Sequence, residues 1–473
     1  MKIKIVDDLD PENVAMVQGL YSRSAASVDD HLAKVQASGS AKFWDNYVVG
    51  YNHKSIADCG STTIFIEGVS ILAAKAIQDS PLYSGQETST RYIDMSKQVI
   101  VDPVIMSSLD ERGAAVLSRW MRFYEQHQGV VMLHVAKTHP MKEGEDPEVY
   151  NRAVKARTFD ILRGFLPAGI TTQLSWHTNL RQAGDHLTHL SHHPSPEIRE
   201  IAKRVRAALV EKYPSSGFEE ELASVSGVAN KGKTPEEIAK AKAEAEARAA
   251  WEKVCGKSFA YGHFGDPEIG YNSGFDSTFK KEKLQSGVWE LLQQRPRGCV
   301  MPHFVSAAGT LSWAFTLDFG SFRDLQRHRN GVCRMPLLGT ENGFEPWYLE
   351  QLPPEARSVA ELLVFDQTKA IAELSKNPVV RQYYTALGFR VGCEIAYALP
   401  AVTYIVEMRS SKTVHPTLRK VVLEYMIPCM RRLLPDLPLH VDESPDYWTV
   451  HRGRQTITEK SSPNEKSPPE AKA

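Results

Sequence analysis

The sequence predicts a mixed α/β (α+β) protein built as two tandem blocks. Two observations carry this. Helical stretches alternate with short extended runs, and landmarks of the first 216 residues recur in the same order after residue 258. At 473 residues the chain can bury a sizeable core and has length for more than one domain.

The first block spans residues 1–216. Thr62 to Gln78 carries apolar residues at mixed spacing and reads as a buried helix entered from a short extended segment, with Pro81 ending it. Ser84 to Arg91 is polar and irregular, a loop by composition. Ala114 to Leu133 and Glu148 to Leu162 read as further helices. Gly164 to Gly169 breaks the pattern, and Ile170 to Trp176 looks extended. Ser195 is placed to N-cap a helix that has Pro196 in its first turn and runs to about Tyr213.

Residues 217–257 form a charged helical connector, opened by a capping box in which Thr234 and Glu237 serve each other's backbone. Its Ala-, Glu- and Lys-rich stretch reads as a solvated spacer helix or an oligomer contact. The second block spans residues 258–458. The last residues, 459–473, lack apolar periodicity and read as a disordered tail.

The repeat rests on three pairings. Asp79-Ser80-Pro81 stands where Arg327-His328-Arg329 stands in the second block, 248 positions on. Leu166-Pro167 pairs with Leu399-Pro400, 233 positions on, and Pro196 to Arg199 with Pro416 to Arg419, 220 positions on. The spacing falls steadily, as in a duplication whose second copy lost loop residues.

A net charge of −1 offers no basic excess for a nucleic-acid backbone. No apolar run is long enough to span a membrane, and the first residues do not form a secretory signal. The six cysteines (59, 255, 299, 333, 393, 429) are scattered without a Cys-x-x-Cys pair, which suits reduced thiols in a cytoplasmic protein.

Several residues carry candidate chemistry. In the loop, Glu87, Ser89 and Arg91 alternate, so an extended backbone projects a carboxylate, a hydroxyl and a guanidinium to one side. Such a set binds a phosphate and a sugar hydroxyl. Arg327, His328 and Arg329 put two guanidiniums around an imidazole at a helix end, a clamp for a pyrophosphate and a ring edge; a cationic helix C-terminus would look the same. His186, His189 and His193 would share a helix face, and three imidazoles can hold zinc. Pro194 and Ser195 interrupt that helix and no carboxylate motif adjoins, so no metal is assigned.

Joined end to end with two residues between, the stretch ending Arg327-His328-Arg329 and the stretch from Ser84 to Arg91 give Arg-His-Arg-x-x-Ser-x-(Asn/Gln)-Glu-x-Ser-x-Arg. This resembles the signature of the flavin-dependent thymidylate synthases. Further matches are His53-x-Ser55, Phe65 to Ser70, Tyr92, Arg163, Asn179-Leu-Arg181 and Arg409. The second block departs after the triplet, where Asn330 to Pro336 has no Ser-x-Arg ending, and the first block has His189 to Ser191 in place of Arg409.

The resemblance implies two tandem copies of that family's fold, each with long helices packed on a small sheet. It implies methylation of dUMP to dTMP, with methylene-tetrahydrofolate as carbon donor and reduced FAD, recharged by NADPH, as hydride source. Ser55, Asn179, Arg181, Arg327, His328 and Arg329 would bind the cofactor. Glu87, Ser89, Arg91 and Arg163 would bind the nucleotide, and Arg409 would stabilise the pyrimidine as an anion. Because the family builds sites between subunits of a homotetramer, this chain is expected to form a homodimer with a four-block, tetramer-like assembly. A relative acting on another pyrimidine nucleotide, or a non-catalytic flavin- or nucleotide-binding paralogue, would keep the same residues.

Overall fold

The computed structural model describes residues 8–22, 26–41, 54–101, 111–214 and 274–455, with isolated positions at 6, 24 and between 234 and 251. His53, Glu237 with its proposed capping box, residues 258–273 and the tail from 459 lie outside the described residues.

Among the described residues, six strands form two antiparallel sheets. β1 (Ser61–Ser70) pairs with β2 (Thr171–Asn179). β3 (Gly274–Ser277), β4 (Thr310–Asp318), β6 (Arg390–Ala398) and β5 (Val332–Arg334) lie side by side in that order. Helices pack on both, so the architecture is mixed α and β.

The expected helix over Thr62–Gln78 is mostly strand. β1 takes Ser61–Ser70, and only Ile71–Gln78 is helical. Thr62, Thr63, Ile64, Ile66 and Val69 are β-branched and pack better on a pleated surface than in a helix. Gly68, at φ 69°, bulges the strand between Glu67 and Val69, which breaks the alternation a strand would show in sequence. The helix expected over 114–133 is two, Glu111–Gln126 and Gln128–Thr138. They part at His127, whose ring stacks on Phe123 at 4.1 Å and lies 2.9 Å through Nδ1 from the Phe123 carbonyl. Helices Pro147–Leu162 and Pro196–Lys212 fall where the pattern put them. Ser195 occupies the N-cap, but its hydroxyl makes no capping bond and instead meets the Tyr383 hydroxyl at 2.6 Å.

The order of elements repeats. A short 3-10 helix, a long strand and a helix run over 54–78 and again over 303–325. A 3-10 turn, a long strand and two helices run over 163–212 and again over 382–421. Ser70 and Asp318 end matching strands 248 positions apart, and Thr171 and Arg390 begin matching strands 219 positions apart. The spacing therefore changes in one step rather than steadily. The pairing of Leu166-Pro167 with Leu399-Pro400 is corrected: Leu166 corresponds to Thr385, because both follow the 3-10 turn that leads into the strand.

The two halves meet through reciprocal backbone bonds. Ala168 N donates to Thr385 O at 2.9 Å, and Leu387 N to Leu166 O at 2.8 Å. Gly169 N donates to Tyr383 O at 2.9 Å, and Gly388 N to Gly164 O at 2.8 Å. Each bond is matched by its partner shifted by 219 positions, which is the pattern of an approximate two-fold axis passing Pro167 and Ala386. A Cβ on Gly169 would lie 2.9 Å from Tyr383 O, and one on Gly388 2.8 Å from Gly164 O, so close approach requires both glycines. Around this joint one core is shared by both halves. Trp120, Phe165, Phe344 and Phe389 interlock with centroid distances of 5.2–6.4 Å, and the Trp120 indole donates to Tyr384 O at 2.9 Å. A second core lies wholly within residues 15–213.

One side-chain bond is kept with its partners exchanged. At the end of β1, the Ser70 hydroxyl donates to the Glu197 carboxylate at 2.6 Å. At the end of β4, the Thr417 hydroxyl donates to the Asp318 carboxylate at 2.5 Å. The carboxylate has moved from helix to strand end, and the bond survives.

Candidate functional site

β4 ends at Asp318, whose carboxylate accepts from Ser321 N at 2.9 Å and so caps the helix Phe319–Leu325. That short helix delivers Arg327-His328-Arg329 at its C-terminal end. Arg327 points outward, 3.8 Å from Asp324. Arg329 lies over the Tyr83 ring at 4.6 Å and donates to Gln78 O at 3.3 Å. His328 is held by Tyr397, which donates to its carbonyl at 2.7 Å. The Nε of Arg409, from helix Leu399–Arg409, donates to His328 Nε2 at 2.8 Å, while its Nη2 donates to Asp324 O at 2.6 Å. To accept that bond His328 must be neutral at Nε2. Burial and then the Arg409 charge push its pKa down to about 3. Beside the triplet opens a cavity of about 400 Å³, lined by Arg327, His328 and Arg329 together with Met301, Tyr404 and Ile405.

The first half supplies the loop. Ser84 and Glu87 bridge to His177 and Leu174, so the segment lies along β2. Its side chains do not project together as the alternation predicts, because the chain turns after Ser89 and each finds its own partner. Glu87 receives the Arg323 guanidinium and, at 2.7 Å, the Gln78 amide. Ser89 accepts from Arg91 N at 3.3 Å. Arg91 grips Asp160 with Nε at 2.7 Å and Nη2 at 3.1 Å, and Nη2 also reaches Thr413 O in the second half at 3.1 Å.

Arg163, buried at 1% exposure, crosses into the second half. Its Nη2 donates to Ser321 Oγ at 2.8 Å, and it lies 3.6 Å from Asp324 and 4.0 Å from Asp318. Asp324 is thus the common anion. Burial alone would raise its carboxyl, but Arg91, Arg327, Arg163 and Arg409 together hold it well below the usual carboxylate range. The structure therefore gathers Glu87, Ser89, Arg91, Arg163, Arg327, His328, Arg329 and Arg409 across the junction of the halves.

Three candidate residues sit elsewhere. Ser55 is exposed on the 3-10 helix Lys54–Cys59. Asn179 accepts from Gln182 N at 2.8 Å and caps helix Leu180–Ser191. Arg181 pairs with Asp58 at 2.7 Å and Asp185 at 3.0 Å. At the matching positions the second half has Ala398 and Pro400, of which Pro400 lines the cavity.

The histidine cluster is structural in its contacts. His186 Nε2 meets Ile77 O at 2.9 Å and its ring packs edge-on to Trp176, while His193 Nδ1 accepts from Ser195 N at 3.0 Å. Among the described residues no three His, Cys, Asp or Glu side chains converge as a metal site. Burial lowers His186 to about 4, His193 to about 3, and His415 well below the ordinary value. With His328, four imidazoles are neutral when folded yet titrate near 6.5 when unfolded. The unfolded chain then binds more protons below pH 6.5, so their stabilisation is complete above that pH and is lost as pH falls toward 3. We expect the urea midpoint to drop between pH 7.5 and 5, with stability falling by up to about 1.4 kcal/mol per histidine per pH unit below pH 6.5. Equal midpoints at the two pH values would contradict this.

Sequence reasoning missed Asp160, Arg323 and Asp324. A signal existed: Arg323 and Asp324 lie four and three residues before Arg327, on the helix that leads into the triplet, and Asp160 lies three residues before Arg163 on a helix face.

Residues 4–215 match the model of the family described as thymidylate synthase complementing protein. A UPF0159 protein of Chlamydia muridarum (strain MoPn / Nigg) is 25% identical over 434 residues, covering 81% of this chain and 78% of that protein. A UPF0159 protein of Chlamydia pneumoniae is 23% identical over 411 residues, covering 81% of this chain and 77% of its own length.

Proposed function

We propose, from the premise that residues 4–215 belong to the thymidylate synthase complementing protein family, that this thymidylate synthase-like chain methylates dUMP to dTMP. Methylene-tetrahydrofolate would give the carbon, and FAD, reduced by NADPH, would supply the hydride when bound. The observation that supports this best is the meeting of the two motif stretches across the junction, where Arg323 donates to the Glu87 carboxylate and Arg329 lies over the Tyr83 ring beside the loop.

The residues beside the triplet fit a flavin. The cavity of about 400 Å³ is within the size of small-molecule sites, about 300–1,000 Å³. Met301, Tyr404 and Ile405 give the cavity apolar lining that suits a flat ring, and Arg327, with its side chain 45% exposed, offers a guanidinium to a phosphate. Arg409 spends Nε on His328 and Nη2 on Asp324 O. Its Nη1 stays available to donate to a pyrimidine oxygen as negative charge builds there, a fixed donor that needs no reorganisation. Neutral His328 orients that guanidinium without repelling it.

Ser55, Asn179 and Arg181 make no bond to the triplet, so this reading has them complete the site of a second copy in a cytoplasmic homodimer of tandem-copy chains. A chain that loads flavin fully while monomeric by mass would contradict the dimer. The activity is tested by complementation. The gene should let a thymidine-requiring host grow without thymidine, and the purified protein should carry a flavin absorption band. Failure to grow with FAD bound would shift the reading to another pyrimidine nucleotide; a colourless protein that cannot be loaded would overturn it.

A further inference from the structure

The approximate two-fold gives the site a second copy. The shifts of 248 and 219 positions that relate the strands carry Arg323 to Lys75, Arg327 to Asp79, Glu87 to Met335, Ser89 to Leu337 and Arg163 to Gln382. The loop obeys the same shifts, since Ser84 bridges to His177 and Val332 pairs with Ala396. The five replacements line one cavity of about 40 Å³. That is space for a few waters, against about 400 Å³ beside the triplet, and far below the size of small-molecule sites. The loop's carboxylate and hydroxyl have become Met335 and Leu337, and the triplet's first arginine has become an acid.

What remains at the second copy serves the first. Asp79 accepts from Lys75 Nζ at 2.5 Å and from the side-chain amide of Gln326, the residue before Arg327. Gln326 is buried, and the same amide donates to Lys75 O at 3.1 Å. Beyond the triplet's other end, Arg329 donates to Gln78 O at 3.3 Å. The end of helix Ile71–Gln78 thus holds the triplet on both sides. Gln78 is the copy of Gln326, 248 positions back, yet its amide turns to Glu87 of the loop at 2.7 Å. Arg327 could not return the bond that Asp79 makes, because a guanidinium offers donors only. An arginine at 79 would also add its charge to that of Arg329, which already acts on the Asp79 carboxylate.

We propose that the second copy of the site has become a bracket for the first, with Asp79 as a positioning residue for Arg327-His328-Arg329, so that the junction holds one flavin rather than two. The exchange of arginine for acid does both things at once: it removes a cation from one copy and supplies a fixed acceptor to the other. The inference rests on the reading above for what the triplet binds, and not for how the triplet is held.

The test applies hydrogen exchange and FAD titration to the full chain. The amides of Gln326 and His328 donate to Phe322 O and Leu325 O. Asp79→Ala should speed their exchange about tenfold, as for the loss of one charge-assisted bond, and leave the amides of β4 unchanged. Asp79→Glu keeps a carboxylate and should restore part of the protection. Gln326→Met removes the same bond from the other side and serves if the Asp79 variants do not fold. Wild-type exchange at 326 and 328 in the variants would overturn the bracket. With FAD, the wild type should take one molecule per chain, and Asp79→Arg should weaken it about tenfold without adding a second. Two FAD per wild-type chain, or a second gained by Asp79→Arg with the first undiminished, would overturn the conversion. A wild type that takes no FAD, while Asp79→Ala still loosens the triplet, keeps the bracket and sinks the flavin reading.

Discussion

Asp318→Ala is expected to cost about 3–5 kcal/mol of stability, the largest loss from any single substitution at the junction. The carboxylate is fully buried and accepts from Ser321 N at 2.9 Å, Tyr348 Oη at 2.6 Å and Thr417 Oγ1 at 2.5 Å. It also faces Arg163 at 4.0 Å, so truncation strands a buried guanidinium as well as two hydroxyls and a helix cap. Urea unfolding at pH 7.5 measures it. A loss under about 1 kcal/mol would mean that Asp324 alone balances Arg163.

The second large effect is on turnover. If Arg409 stabilises a pyrimidine anion, Arg409→Ala should lower kcat by about 10²–10³-fold and leave flavin loading intact, as for removal of one fixed donor. Arg409→Lys should recover little, because a single ammonium cannot hold His328 Nε2 and Asp324 O and still present a free donor. A kcat within threefold of wild type would remove Arg409 from the chemistry, whatever the substrate.

What the sequence made legible follows from how local each signal is. Helices Pro147–Leu162 and Pro196–Lys212 declare themselves by capping acids, proline and apolar spacing, and the structure has them. β1 did not, because the bulge at Gly68 destroys the period that marks a strand. The Leu-Pro pairing failed for a related reason: a dipeptide recurs by chance, whereas strand ends and turns define true correspondence. The candidate residues are legible as types, and eight of them lie together at the junction of the halves. Their partners were not, since Asp160, Asp318 and Asp324 join the two halves through contacts that span tens to hundreds of positions. The alternation of Glu87, Ser89 and Arg91 misled because it assumed an extended backbone where the chain turns.

The two cores differ in when they can form as the chain leaves the ribosome. The core confined to residues 15–213 has all its apolar parts once Tyr213 has emerged. The core around Trp120 and Phe165 has to wait for Tyr384 and Phe389, so helices made early keep apolar faces uncovered while some 170 further residues are synthesised. Nascent chains halted before Tyr384 should therefore be the ones that chaperones hold.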